Sequence, residues 1–175
     1  MLIGRLLALT RMDAGQTRME MERMDLADIA EVAAMQVEEG AAARGMTVEC
    51  AVDGPVWAMC DQTMLTQALL NLAENAVKYG REGGHIRIAA RAEGETARLI
   101  VEDDGPGIKP EALPHIFERF YQGDRSRHAG GAGLGLSLVQ RIARLHGGEV
   151  EVESAPGKGS CFTIALPLAQ EEPNA

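Results

Sequence analysis

The chain has 175 residues, 46% of them apolar and only 3% aromatic, which predicts one domain with an aliphatic core and excludes wholesale disorder. The formal net charge is −9 with no block of Lys and Arg, which excludes the basic face of a duplex DNA binder. No apolar run approaches the roughly 18 residues of a membrane span, and the N-terminus has no secretory pattern. The piece is therefore expected to be soluble and cytoplasmic, with Cys50, Cys60 and Cys161 too far apart for a disulfide framework or a metal site.

In chain order, residues 1–17 read as a helix. Leu2, Leu6 and Leu9 follow helical spacing, joined by Ile3, Leu7 and Met12, and Gly15 is a stop. No capping residue precedes it, so it is expected to be the tail of a bundled segment, or else to fold back on its own domain. Residues 18–24 suit a short strand. Asp25 caps a helix to about residue 43, ended by Gly45. Residues 46–52 and 55–59 read as strands around the turn Asp53-Gly54-Pro55. Asp61 caps a second long helix to about Tyr79. Residues 85–92 and 96–103 alternate as a hairpin, with Ile86, Ile88 and Ala90 opposite Ala97, Leu99 and Val101. A helix over 134–146 and strands at 148–154 and 160–166 complete the chain. Strands and helices are segregated, which predicts an α+β sandwich.

Three segments carry chemistry. On the helix 61–79, Leu65, Leu69, Leu72 and Ala76 form the core stripe, while Asn71, Asn75 and Lys78 form a second stripe about 120° away. An Asn oxygen is a hard ligand for Mg²⁺, and a Lys one turn on meets a phosphate as a point charge. Alone, the stripe is equally a solvated polar face. At 101–108 a strand ends at Asp103, followed by Gly105 and Gly107. A carboxylate there selects a ligand by its amine, such as that of adenine, and the glycines allow a flat ring to approach. Alone, this is equally an ordinary Asp-Gly turn. The run 130–136, rich in Gly and opening a helix, is an anion site by its free N–H groups and dipole. It fits the dinucleotide G-x-G-x-x-G only loosely.

Together, their order resembles one family. "NLAENAVKYG" resembles the N box of histidine kinases, "DDGPGI" the first glycine box, "IFERFY" the phenylalanine box and "GGAGLGLSLVQRIARLHGG" the second glycine box. "SAPGKGSCFTIALPL" is similar to the closing hairpin, and "LLALTRMDAGQ" to the end of the dimerisation and phosphoacceptor hairpin. The resemblance covers residues 1 to about 168. It implies the catalytic ATP-binding domain of a sensor histidine kinase, in the superfamily of gyrase, heat-shock chaperones and MutL. The implied fold is a two-layer α+β sandwich, a mixed sheet covered on one face by helices, with an ATP lid over about 121–132. The implied divisions are 1–17, the end of the hairpin; 18–168, the catalytic domain; and 169–175, a tail.

The resemblance implies Asn75 for Mg²⁺, with Asn71 and Lys78 near the phosphates and Tyr79 against the adenine. Asp103 would accept from the adenine amine beside Gly105, Gly107 and Ile108. Phe117 and Phe120 would anchor the lid, and Gly131, Gly133, Leu134, Gly135 and Leu136 would border the triphosphate. Implied partners are ATP, the parent's own hairpin and a response-regulator receiver domain. The parent would be a homodimer anchored in the inner membrane, with no nucleic acid and no membrane contact by this piece. Three departures stand out: Gln122 where an Arg is common, which leaves Arg119, Arg125 or Arg127 to supply the charge or phosphate binding to be weak; Ala132 where Thr is usual; and no phosphoacceptor. None of His85, His115, His128 and His146 lies in an H-E-x-x-x-P context, so no catalytic residue is assigned within this chain. Rival readings are a degenerate docking module and an ATP hydrolase. The hydrolase would need a Glu four residues before Asn75, where Asn71 stands and cannot take a proton.

Overall fold

The computed structural model describes residues 2–123 and 131–170. Both long helices begin where their aspartates predict. Asp25, the last residue of strand β1 (Glu22–Asp25), accepts the Ala27 N–H at 2.9 Å and starts α2 (Leu26–Ala42). Asp61 accepts the Met64 N–H at 3.0 Å and starts α3 (Gln62–Tyr79). Between them lie β2 (Thr47–Val52) and β3 (Trp57–Cys60). The chain continues through β4 (His85–Glu93), β5 (Thr96–Asp103), a 3-10 turn at Leu113–His115, α4 (Gly135–Leu145), β6 (Glu149–Ser154) and β7 (Ser160–Pro167).

β2 and β3, adjacent in sequence, go to different sheets. β2 takes the edge of a five-stranded sheet of order β2-β4-β5-β7-β6, whereas β3 pairs with β1. β2 and β4 are parallel, and α3 lies in the crossover between them; the other pairs are antiparallel, so the sheet is mixed. The β4–β5 hairpin is tighter than the spacing predicts. Glu93 still pairs with Thr96, leaving Gly94 and Glu95 as a two-residue loop.

The register sends Ile86, Ile88, Leu99, Val101, Ile164 and Leu166 to one buried face. Against it pack Leu26 and Ile29 of α2, Leu65, Leu69 and Leu72 of α3, and Leu138 and Ile142 of α4. The other face carries Arg87, Arg91 and Arg98, ion-paired with Glu49, Glu93, Glu102 and Glu151. This is the predicted two-layer architecture, with helices on one side and charge on the other. His146, 5% exposed, fastens the helical layer. Its Nδ1 donates to the Ile142 carbonyl at 2.7 Å, and its Nε2 accepts the Asp61 N–H at 3.0 Å. The end of α4 is thereby tied to the start of α3.

The first helix, α1, is shorter than predicted, Leu2–Asp13, and the chain turns at Gly15. Its second half docks on the domain, with Leu9 1% and Met12 5% exposed. Leu2, Ile3, Leu6 and Leu7 remain exposed. Asp13 fixes the docked end. It pairs with Arg119 and with Arg141, whose Nη2 also donates to the Met12 carbonyl at 2.6 Å.

Candidate functional site

The fold brings the three segments to one cleft of about 1200 Å³. Its walls include Asn75, Lys78 and Tyr79 from α3, Asp103 at the end of β5, Gly107 and Ile108 beyond it, and Gly131, Gly133, Leu134, Gly135 and Leu136. Leu72, Ala76, Val101, Ile116 and Phe162 add an apolar lining, the kind of surface on which a flat ring packs. Four residues of the sequence-based set, Asn71, Gly105, Phe117 and Phe120, lie outside these walls. Gly105 borders a smaller cavity of about 540 Å³ with Gly80, Arg81, Asp104 and Lys158. Asn71 sits behind the cleft, with its Oδ1 3.9 Å from where a Cβ on Gly135 would stand. Phe120 is 58% exposed and contributes its backbone instead, donating its N–H to the Gly133 carbonyl at 2.9 Å. Phe117 does pack against the core.

Asp103 is held by the strand end. Its Oδ1 accepts the Gly105 N–H at 2.9 Å, and its backbone pairs with Ile86 and Ser160. Burial pushes its carboxyl above the usual carboxylate range, partly offset by the Gly105 N–H, while neighbouring Asp104 raises it further. Asp104 goes the other way. Arg81 donates to it at 2.7 Å and holds it below that range. Of two adjacent carboxylates, one thus faces the cleft, half-desolvated, and the other serves an ion pair beside it.

Asn75 and Lys78 keep the spacing the helix dictates, and Lys78 Nζ lies 5.2 Å from the centre of the Tyr79 ring. A Cβ on Gly131 would stand 2.9 Å from that Nζ, so a side chain there would make the ammonium shift. Asn71 is 5% exposed, and its buried Nδ2 has no hydrogen-bond partner among the described residues. Such an orphan costs about 1–3 kcal/mol unless a ligand or water meets it. Among the described residues no side chain caps the start of α4, and Leu134, Gly135 and Leu136 line the cleft, so the first-turn N–H groups stand beside it. The side chain of Gln122 donates to the Gly131 carbonyl, which turns it onto the loop backbone. Arg125, Arg127, His128 and Gly130 lie outside the described residues, as do Met1 and 171–175.

Two residues absent from the sequence reading belong here. Arg44 donates from Nη1 to the Val77 and Lys78 carbonyls and from Nη2 to that of Gly80 at 3.0 Å, gathering the free carbonyls at the end of α3. The helix end that presents Lys78 and Tyr79 is therefore clamped from the loop before β2. Arg5 of α1 also lines the cleft and approaches Glu74 at 3.7 Å. Nothing local in the sequence points to either, since both act across long chain separations.

Residues 60–170 match the family described as histidine kinase-, DNA gyrase B-, and HSP90-like ATPase. The chain is 38% identical over 174 residues to the sensor-like histidine kinase SenX3 of Mycobacterium tuberculosis, covering 97% of this chain and 42% of that protein. It is 33% identical over 172 residues to the signal transduction histidine-protein kinase BaeS of Escherichia coli, covering 97% and 37%. The chain thus spans about two fifths of the length of these curated relatives. Among solved structures it is similar to full-length ShkA in complex with AMPPNP, with a TM-score of 0.86, 34% identity and coverage of 97% of this chain and 36% of that one. The mycobacterial sensor histidine kinase MprB is also similar, with a TM-score of 0.74, 28% identity and coverage of 85% and 98%.

Proposed function

The chain belongs to the histidine kinase-, DNA gyrase B-, and HSP90-like ATPase family, and from that premise we infer that it binds Mg-ATP in this cleft and presents the γ-phosphate to a histidine on a helical hairpin. The carrying observation is that Asp103, Asn75, Lys78 and the uncapped start of α4 all border one cleft. Asp103 supplies an acceptor for the adenine amine on an apolar floor, with Tyr79 and Ile108 beside the ring. Lys78 and the N–H groups of 134–136 meet phosphate, and Asn71, whose Nδ2 has no partner among the described residues, stands behind Gly135.

A Mg²⁺ ion fits the donors present. Among the described residues there is no cluster of three or more His, Cys, Asp or Glu able to hold a metal. One amide oxygen, from Asn75, together with phosphate oxygens and water, is how Mg²⁺ is commonly held. When bound, the ion supplies neutralisation of phosphate charge. The chain's own part is positioning and electrostatics, which dominate phosphoryl transfer.

Transfer fits better than hydrolysis. A water-activating carboxylate is missing from position 71, where the amide cannot take a proton. Glu74 is exposed and approaches Arg5. On this reading the product phosphohistidine passes its group to a response-regulator aspartate, and the parent is a homodimeric sensor anchored in the inner membrane. A degenerate docking module would not need the Asp103 pocket.

Calorimetry tests the site. Asp103→Asn sets an amide donor against the adenine amine, and a mismatched buried pair costs about 1–3 kcal/mol, so ATP affinity falls about tenfold or more. Unchanged affinity removes the adenine assignment. Asn75→Ala weakens ATP chiefly when Mg²⁺ is present, and equal loss with and without the ion contradicts the ligand role.

A further inference from the structure

α1 presents one face to the domain, along Leu2, Arg5, Leu9 and Met12, at helical spacing. Leu9 and Met12 are buried, and Asp13 is held by Arg119 and Arg141, so the position of the helix is fixed at its C-terminal end. One turn before Leu9, about 6 Å along the axis, that same face carries a cation into the wall of the nucleotide cleft. Arg5 and Leu2 are the residues of α1 that line it. Arg5 Nη2 lies 3.7 Å from Glu74 Oε2, and Glu74 immediately precedes Asn75 on α3. The pair is half-exposed, at 41% and 58%, so it is weak by itself and easily exchanged for a stronger anion. Gln122, which also borders the cleft, is neutral and spends its amide on the Gly131 carbonyl.

We propose that Arg5 of α1 is a nucleotide-contacting residue, which leaves Glu74 for the terminal phosphate of ATP and so couples nucleotide binding to the docking of α1. The proposal rests on the Mg-ATP reading of the cleft. A guanidinium offers a fork of donors to phosphate oxygens, and phosphate carries more charge than the single carboxylate it replaces. Phosphates arriving beside Asn75 also repel Glu74. The contact discriminates by length of the phosphate chain, because Lys78, one turn along α3 from Glu74, and the start of α4 already serve the inner phosphates.

The experiment is titration of the whole chain with Mg-ATP and Mg-ADP. Arg5→Ala should weaken ATP by about tenfold, the scale of one charge-assisted hydrogen bond, and ADP by less than about twofold on the same scale. Arg5→Lys should restore part of the loss. Glu74→Gln, which frees Arg5, should tighten ATP and leave ADP unchanged. Unchanged ATP affinity in Arg5→Ala, or equal loss for both nucleotides, overturns the contact. If Asp103→Asn weakens both nucleotides while Arg5→Ala changes neither, the contact fails and the cleft reading stands. If the unaltered chain binds neither nucleotide, both fail.

Discussion

Gly107 sits at φ 71, and a Cβ on it would stand 1.9 Å from the Ala155 carbonyl oxygen. A Cβ on Gly157, at φ 77, would have nothing within 4 Å of it. The two positions separate backbone strain from collision. Gly157→Ala should cost only the left-handed penalty of about 1–2 kcal/mol, read from the urea midpoint at unchanged slope. Gly107→Ala should cost more, because the Ala155 carbonyl belongs to the turn leaving β6 and cannot retreat freely; equal costs would mean the turn yields. Asp103 makes a prediction of its own. Its folded pKa is raised by burial, so the native state holds the proton more tightly than the unfolded chain does. The stability it contributes is present below the ordinary carboxylate pKa and is lost as pH rises through the raised value. At neutral pH its charge therefore opposes folding. Asp103→Asn should raise the nucleotide-free Tm at pH 7 and do so less at pH 3, while weakening ATP. A Tm lowered at pH 7 would show that the Gly105 N–H and its neighbours outweigh desolvation. The place of Asp103 at a strand end was legible beforehand, although alone the segment read equally as an ordinary Asp-Gly turn. The opposite pull on Asp104 was not, because it depends on Arg81, 23 residues away.

At the scale of elements, caps show α2 and α3 in the sequence and alternation shows the strands, whereas no capping residue precedes α1 or α4. The N-caps Asp25 and Asp61 and the hairpin β4–β5 follow from local chemistry. The partners of β2 and β3 do not, since two short strands around a turn carry no mark of separate sheets. The docking of α1 was legible only as an unpartnered stripe. What selects its place is Asp13, which reaches Arg119 across 106 residues and lies beside Arg141 on α4. Asp13→Ala removes both pairs and should release α1 while the domain stays folded. Hydrogen exchange should then quicken in residues 2–13 and remain slow in α3. Protection unchanged in 2–13 would mean that Leu9 and Met12 suffice to hold the helix. Arg44 is the counterpart for α3. Arg44→Met keeps much of the stem and loses the clamp on three carbonyls, so exchange should quicken at 78–80 and ATP should weaken. Loss of stability with unaltered ATP affinity would confine Arg44 to the fold.

For the whole molecule, binding and acceptance of phosphate should come apart. The cleft gathers the groups for Mg-ATP, yet no described histidine borders it. His85, at the start of β4, approaches Thr47 at 2.7 Å and Glu49 at 3.1 Å on the neighbouring edge strand β2. His115 is engaged by Glu118 at 2.7 Å, beside the Tyr121 ring. His146 is buried with both ring nitrogens occupied, so neither is free as a nucleophile. His128 lies outside the described residues. An in-line attack needs a ring nitrogen about 3–3.5 Å from the γ-phosphorus with its lone pair aligned, and these three offer none. The chain incubated with radiolabelled ATP should therefore bind nucleotide and carry no acid-labile label. A separately supplied hairpin bearing a histidine should become labelled by it, and Asp103→Asn should lower that transfer in step with ATP affinity. Acid-labile label on the chain alone would overturn the separation and point first to His128. Label on neither, with nucleotide bound, would remove the transfer reading, whereas a chain that binds no nucleotide would favour the docking module.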